Sequence, residues 1–335
     1  MARCGRDSPL IRTLALAAGV PSRDFLLKLL EVSEMSAVTQ DCPRTVVKQV
    51  SGRPAVDGAG VRLVRVLGSP TVADFDPFLM LDAFDSKNPD DYIKGFPMHP
   101  HRGIETVTYL AHGEIEHKDS LGNKGTIVDG GCQWMTAGSG IMHQEMPQAS
   151  PHMLGLQLWV NLAKKDKMAR PKYRDIKPEQ ITHVREPGVE VRVLSGEYKE
   201  HKGAMRADYV KVTFLDVTLE PGADWTLDTN PDDTVFAYVL YGECSAGPVP
   251  GQSPCGGRGS NYCAQAPINA KHAVLFSPGS SLTMKGGGVP TRLVVVAGKP
   301  LHEPVAWGGP IVMNTDDELR EAFFELEDGT FIKSK

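Results

Sequence analysis

Two short motifs in this chain hold residues able to bind a metal. His99-Pro100-His101 sets two imidazoles two positions apart, and His143-Gln144-Glu145 sets an imidazole and a carboxylate at the same spacing. On an extended strand, side chains two apart point to one face, so each motif presents both of its groups together. Glu105 has the parity of His99 and His101 and, on an unbroken strand, shares their face. Two adjacent strands carrying these pairs bring three imidazoles and a carboxylate around one point. Such a set suits iron(II), manganese, nickel or zinc, and with open positions it is the arrangement used by non-haem iron oxygenases. An isolated HxH or HxE in a loop is more often solvent-facing than ligating; the conjunction with strand parity is what gives these two weight. Six of the ten histidines lie between residues 99 and 152. His112, His117 and His152 break the pattern and read as surface residues or neighbours of the ligands. His183, His201, His272 and His302 are isolated and read as structural.

Strands have to position these groups. From Arg44 onward, short apolar runs are cut by Gly, Pro and Asp about every ten residues, the signature of a β-sandwich or barrel. Strand candidates are Thr45–Val50, Val61–Val66, Thr106–Leu110, Gly125–Val128 and Leu154–Asn161. After a Pro- and Lys-rich bridge, Ala163–Pro178, the texture returns in Val189–Leu194, Tyr209–Leu219, Val235–Leu240, Ala273–Phe276 and Arg292–Ala297. The expected organisation is an extension over 1–44, a metal-binding barrel over 45–165, a linker over 166–188, a barrel over 189–300 and a tail over 301–335. The second block has no HxH or HxE pair, and its His272 cannot build a site alone, so this barrel is expected to be metal-free. Eight of the sixteen residues from Ser245 to Ser260 are Gly or Pro, which predicts an irregular, mobile loop. Thr315-Asp316-Asp317-Glu318 matches a capping box, with Leu319, Ala322, Phe323 and Leu326 following at helical spacing. One C-terminal helix with a buried face is expected.

Bulk properties remove some function classes. The chain has 335 residues, 41% of them hydrophobic, with net charge -5 and a pI near 6.1. That balance gives no basic field for phosphate backbones, so direct nucleic-acid binding is not expected. No apolar run approaches the roughly 20 residues that span a bilayer, and no membrane association is expected. Cys4, Cys42, Cys132, Cys244, Cys255 and Cys263 show no CxxC spacing and read as reduced thiols in an intracellular compartment. Near the N-terminus, Arg3, Arg6 and Arg12 precede the apolar stretch Thr13–Val20, and Phe25–Leu30 suits an amphipathic helix opened by Ser22. Asp7 and the lack of a small-residue cleavage site argue against secretion. A transit peptide and a dispensable extension, with Met35 as an internal start, both remain open.

The text around the histidines resembles the pirin family of the cupin superfamily. Phe96-Pro97-Met98-His99-Pro100-His101-Arg102-Gly103-Ile104-Glu105-Thr106-Val107-Thr108-Tyr109-Leu110 is similar to the first cupin motif in its pirin form. Gln133-Trp134-Met135-Thr136-Ala137-Gly138-Ser139-Gly140-Ile141-Met142-His143-Gln144-Glu145-Met146-Pro147 is similar to the second. Asp76–Leu79, Gly155–Leu162 and Gly309–Thr315 also fit, so the resemblance runs from about Thr45 to the C-terminal helix. It implies an all-β fold of two tandem cupin-type β-barrels, a bicupin, with a short C-terminal helix. It also implies that His99, His101, His143 and Glu145 hold iron, with other divalent metals possible, and that Glu105 lies beside the ligands rather than among them. Gly138 and Gly140 would allow a tight turn against the site. The extension, the Gly/Pro-rich loop and a short tail after Gly329 depart from animal pirins, and the chain reads as plant-type.

Two functions follow from the resemblance. One is iron-dependent quercetin (flavonol) 2,3-dioxygenase chemistry, in which Glu145 or Glu105 takes the flavonol's proton and Phe96, Met98, Trp134 and Met142 wall a flat pocket. The alternative is a non-enzymatic transcription cofactor or a G-protein alpha-subunit partner whose binding surface follows the metal state. The implied protein is a monomer of nucleus and cytoplasm, with organelle targeting by residues 1–44 left open.

Overall fold

The computed structural model describes residues 42–247 and 266–333. Residues 1–41 of the extension and 248–260 of the Gly/Pro-rich segment lie outside the described residues. The punctuated apolar runs form strands, as expected of an all-β chain. Strand β1 (Val46–Ser51) does not join the sheets that follow it; it pairs antiparallel with His272–Phe276. Arg44, buried, fastens this crossover. Its Nε donates to Thr229 Oγ1, and its Nη1 and Nη2 donate to the Ser277 and Asn230 carbonyls, each at 2.7 Å.

The first barrel contains β2 (Arg53–Asp57), β3 (Val61–Leu67), β4 (Phe78–Ser86), β5 (Phe96–His101), β6 (Ile104–His112) and β7 (Glu114–Asp119). It continues with β8 (Lys124–Ile127), β9 (Cys132–Thr136), β10 (Ile141–Gln148), β11 (Met153–Asn161) and β12 (Lys172–Ile176). Seven strands run β12-β9-β6-β11-β4-β3-β2 and four run β5-β10-β7-β8. The second barrel repeats the plan, seven strands including β1 and four more. Within 166–188, β12 pairs with β9 of the first barrel and Thr182–Glu186 pairs with Val189–Ser195 of the second.

Burial along the strands explains this arrangement. β7 and β10 alternate inward and outward positions, as strands with one buried face do. β11 and Thr291–Gly298 are buried throughout, because each large sheet is covered on one face by its own barrel and on the other by its neighbour. Tyr109, Trp134 and Leu156 of the first barrel share that core with Phe214, Phe236 and Tyr238 of the second. Ring pairs Phe78–Phe236 at 5.2 Å and Tyr109–Phe214 at 5.8 Å meet edge to face. Such pairs add about 0.5–1.5 kcal/mol each beyond their area. Within this apolar layer Arg292 Nε donates to Asp216 Oδ1 at 3.0 Å and Nη2 to Oδ2 at 2.7 Å. The Tyr109 hydroxyl, arriving from the other barrel, donates to Asp216 Oδ2 at 2.5 Å.

The C-terminal helix spans Asp316–Glu327 with the expected capping box, Glu318 N–H to Thr315 Oγ1 at 3.2 Å and Thr315 N–H to Glu318 Oε2 at 3.0 Å. Ala322 is buried against Ile311, Met313 and Phe331, while Phe323, expected on the buried face, is exposed. Cys132 and Cys244 are free and buried. Cys42 is disulfide-bonded, which corrects the reading of all six cysteines as reduced thiols. Among the described residues, no helix is long and apolar enough to cross a membrane.

Candidate metal centre

β5 and β10 are hydrogen-bonded neighbours, with His143 directly opposite His99. His99, His101 and His143 therefore point into the barrel together, and one ring nitrogen of each lies within 4.8 Å of the others. His99 Nδ1 is 2.9 Å from the Pro97 carbonyl and His101 Nδ1 is 3.0 Å from the Pro310 carbonyl. A carbonyl only accepts, so both Nδ1 atoms carry the proton and both Nε2 atoms present lone pairs. Those two Nε2 atoms face each other at 3.1 Å. A proton shared between them is disfavoured, since burial lowers the pKa of His99 and pushes that of His101 down to about 3. Burial also holds His143 well below the ordinary imidazole value, and neither of its ring nitrogens has a hydrogen-bond partner. Three neutral imidazoles with converging lone pairs, two buried and His99 partly so, are the donor set of a transition metal. The residues fit the ion.

Glu145 also faces inward and lines the same pocket, but it stands outside the three-histidine cluster. Thr108 Oγ1 donates to its Oε1 at 2.9 Å and lies 2.6 Å from Gln157 Oε1. Burial lifts the Glu145 carboxyl to about 7. Glu105 is elsewhere. Thr136 Oγ1 donates to its Oε1 at 2.6 Å, and Glu105 shares its face of β6 with Val107 and Tyr109, which enter the core between the barrels. Thr108, of opposite parity, faces the pocket. The parity that linked Glu105 to the histidines fails because β5 ends at His101, the chain turns through Gly103 at φ 78°, and β6 lies in the other sheet.

The cavity beside the histidines has a volume of about 440 Å³, within the usual range for a small-molecule site. Phe96 lines it as expected, together with Met80, Phe84, Trp159 and Trp307. Trp134 belongs to the core between the barrels and Met98 is exposed, so neither walls it. Trp159 packs edge-on to His101 at 5.0 Å. The tail completes the site: Gly309 and Pro310 line the cavity, and Arg102 Nη2 donates to the Phe331 carbonyl at 2.8 Å. Gly138 and Gly140, with φ 48° and 134°, do form a tight turn, but a Cβ there would strike the carbonyl oxygens of Ala169 at 2.1 Å and Phe331 at 2.8 Å. Their space is needed against these outer segments.

His117, set aside in the sequence, is buried on β7 opposite Glu145, and Asp119 is opposite His143. Its ring lies 5.3 Å from that of His143 and stacks on Tyr173 at 4.4 Å. Its Nε2 is 3.5 Å from Asp119 Oδ2. Asp119 is held by the backbone N–H groups of Leu121 and Asn123 and by Asn123 Nδ2. The period-two alternation of Glu114–Asp119 was the available signal, since it turns His117 inward with Ile115.

Two family models match the chain, "Pirin" over residues 60–160 and "Pirin C-terminal cupin domain" over residues 214–332. The chain belongs to the pirin family. A pirin-like protein of Solanum lycopersicum is 39% identical over 86% of this chain and 92% of its own length. Pirin of Homo sapiens is 37% identical over 84% of this chain and 92% of its own. The solved structure of quercetin 2,3-dioxygenase from Acinetobacter baumannii is 30% identical, with a TM-score of 0.74 over 86% of this chain and 98% of that one. Both halves are cupin domains, and the three-histidine cluster lies in the half matched by the first pirin model.

Proposed function

We propose that this pirin is a metal-dependent flavonol 2,3-dioxygenase of the quercetin class, holding iron on His99, His101 and His143, with Glu145 as the site's carboxylate. The observation that carries the reading is the set of three neutral imidazoles converging at one end of an aromatic-walled cavity. The likeness to a quercetin 2,3-dioxygenase structure supports it. A bound iron-type ion would anchor the hydroxyl–ketone edge of the flavonol and engage O₂. The chain's own residues do the rest. Of the cavity carboxylates Asp57, Asp82 and Glu145, only Glu145 has no cationic partner, so it is the group that takes the flavonol hydroxyl proton, through the oxygen Thr108 does not hold. The Pro97 and Pro310 carbonyls fix the rings of His99 and His101, and Trp159 and Phe96 flank them against water.

The test is aerobic consumption of quercetin and O₂ by iron-loaded protein against a metal-stripped control. Glu145→Gln should weaken metal binding and lower turnover about 10²- to 10⁴-fold, the usual worth of a positioned base. Glu105→Gln, altered on the far face of β6, should leave metal content and turnover within about twofold of wild type. Full metal occupancy without turnover of any flavonol would sink the dioxygenase reading and favour the metal-state-dependent partner surface. His117→Ala should weaken metal binding about 10- to 100-fold in a competitive chelator titration, because it removes the buried ring beside His143. Unchanged affinity would make His117 a packing residue only.

A further inference from the structure

One wall of the cavity is polar, and the proton-transfer reading does not use it. A register row crosses the inner face of the large sheet: Arg65 on β3 is paired with Asp82 on β4, Asp82 with Gln157 on β11, and Gln157 with Thr108 on β6. At Thr108 the row meets Glu145, before continuing to Gln133 on β9. At about 4.8 Å per strand, Arg65 lies about 14 Å across the sheet from Thr108, roughly the length of a three-ring aromatic molecule. At the Arg65 end, Nε donates to Asp82 Oδ1 at 2.9 Å, and Nη2 donates to Asp82 Oδ2 and Asp57 Oδ2, both at 2.7 Å. Asp57, Arg65, Asp82 and Gln157 all line the cavity.

This cluster has more acceptors than its own pairing needs. Two carboxylates share one guanidinium, leaving an excess negative charge beside the cavity. The Arg65 Nη1 group makes no hydrogen bond among the described residues. The wall thus offers spare carboxylate lone pairs together with a spare N–H donor. A hydroxyl both donates and accepts, so it satisfies both at once. A ligand carboxylate only accepts, and it would meet two like charges.

We propose that Asp57, Arg65 and Asp82 form a recognition subsite for ring hydroxyls at the end of a flat aromatic substrate away from Thr108 and Glu145, selecting polyhydroxylated ring systems over bare or carboxylated ones. The inference rests on the dioxygenase reading in taking Glu145, the base for the chelating hydroxyl, as the substrate's anchored end. Apolar walls from Met80, Phe84 and Trp159 hold the rings between the two ends. A ring without hydroxyls buries the Asp82 end without compensation, and the site discriminates against it for that reason.

The experiment is a fluorescence-quenching titration of metal-loaded protein with quercetin and with 3-hydroxyflavone, which keeps the chelating edge and lacks the remaining hydroxyls. Wild type should bind quercetin about 10- to 100-fold tighter, the worth of one or two hydrogen bonds to charged groups. Asp57→Asn, at a half-exposed position, should bring the ratio to within about threefold by weakening quercetin alone. Arg65→Gln should do the same, and a melting curve on each variant confirms that the barrel is folded. Equal affinity of wild type for the two flavonols, or loss of affinity for both in Asp57→Asn, overturns the subsite. Turnover is read separately. Discrimination without O₂ uptake sinks the dioxygenase reading and leaves the subsite standing, whereas turnover without discrimination does the reverse. Failure of both flavonols to bind overturns both readings.

Discussion

His101→Ala is expected to take the protein from one bound metal per chain to none retained through gel filtration, with affinity falling by more than about 100-fold. Removing a partner behind a ligand commonly costs 10- to 100-fold, and here the ligand itself is lost. The variant loses one of two facing Nε2 lone pairs and the ring that the Pro310 carbonyl orients. The barrel should stay folded, because the core around it is carried by residues such as Val107, Trp134 and Leu158 that do not touch the site. Thermal melts with and without metal make the distinction. Saturating metal at about 100 times its Kd adds about 2.7 kcal/mol to wild type, and the variant should show no metal-dependent shift. A variant that keeps stoichiometric metal would show that His101 is not a ligand. Tight binding of a second equivalent by wild type would contradict a single centre.

Asp216→Ala is expected to destabilise the fold by about 3–5 kcal/mol, the typical cost of leaving one member of a buried ion pair without its partner. Arg292 is 5% exposed, and Asp216 accepts from both Arg292 and the Tyr109 hydroxyl of the other barrel. For a chain of this size the loss corresponds to a fall in Tm on the order of 10 °C. The compensated variant Asp216→Leu/Arg292→Met/Tyr109→Phe should recover most of it, since replacing all the buried polar partners by apolar groups is commonly neutral or stabilising. Should the triple variant melt no higher than Asp216→Ala, the network contributes through geometry rather than through burial of unpaired charge. Little change in Asp216→Ala itself would mean that the Arg292 guanidinium, left without its partner, reaches water.

By itself the sequence determined what local periodicity can encode. Alternation is a property of a continuous strand, so His99 with His101, and His143 with Glu145, could be placed on shared inward faces without knowing the fold. The capping box at Thr315 and Glu318 was legible for the same reason, because its partners lie within one turn. Glu105 marks where that logic stops. The turn through Arg102 and Gly103 moves the chain from one sheet to the other and resets the parity, so a face assigned by counting from His101 was the wrong one. The tertiary structure alone decided that Glu105 serves the core between the barrels and that the Pro310 carbonyl, 209 residues away, orients His101. It alone brought Trp159, Trp307 and the Arg65–Asp82 pair around one cavity and buried His117 beside His143. These contacts join strands whose adjacency follows from packing of whole sheets, and hydrogen bonds across such distances leave no trace in the spacing of nearby residues.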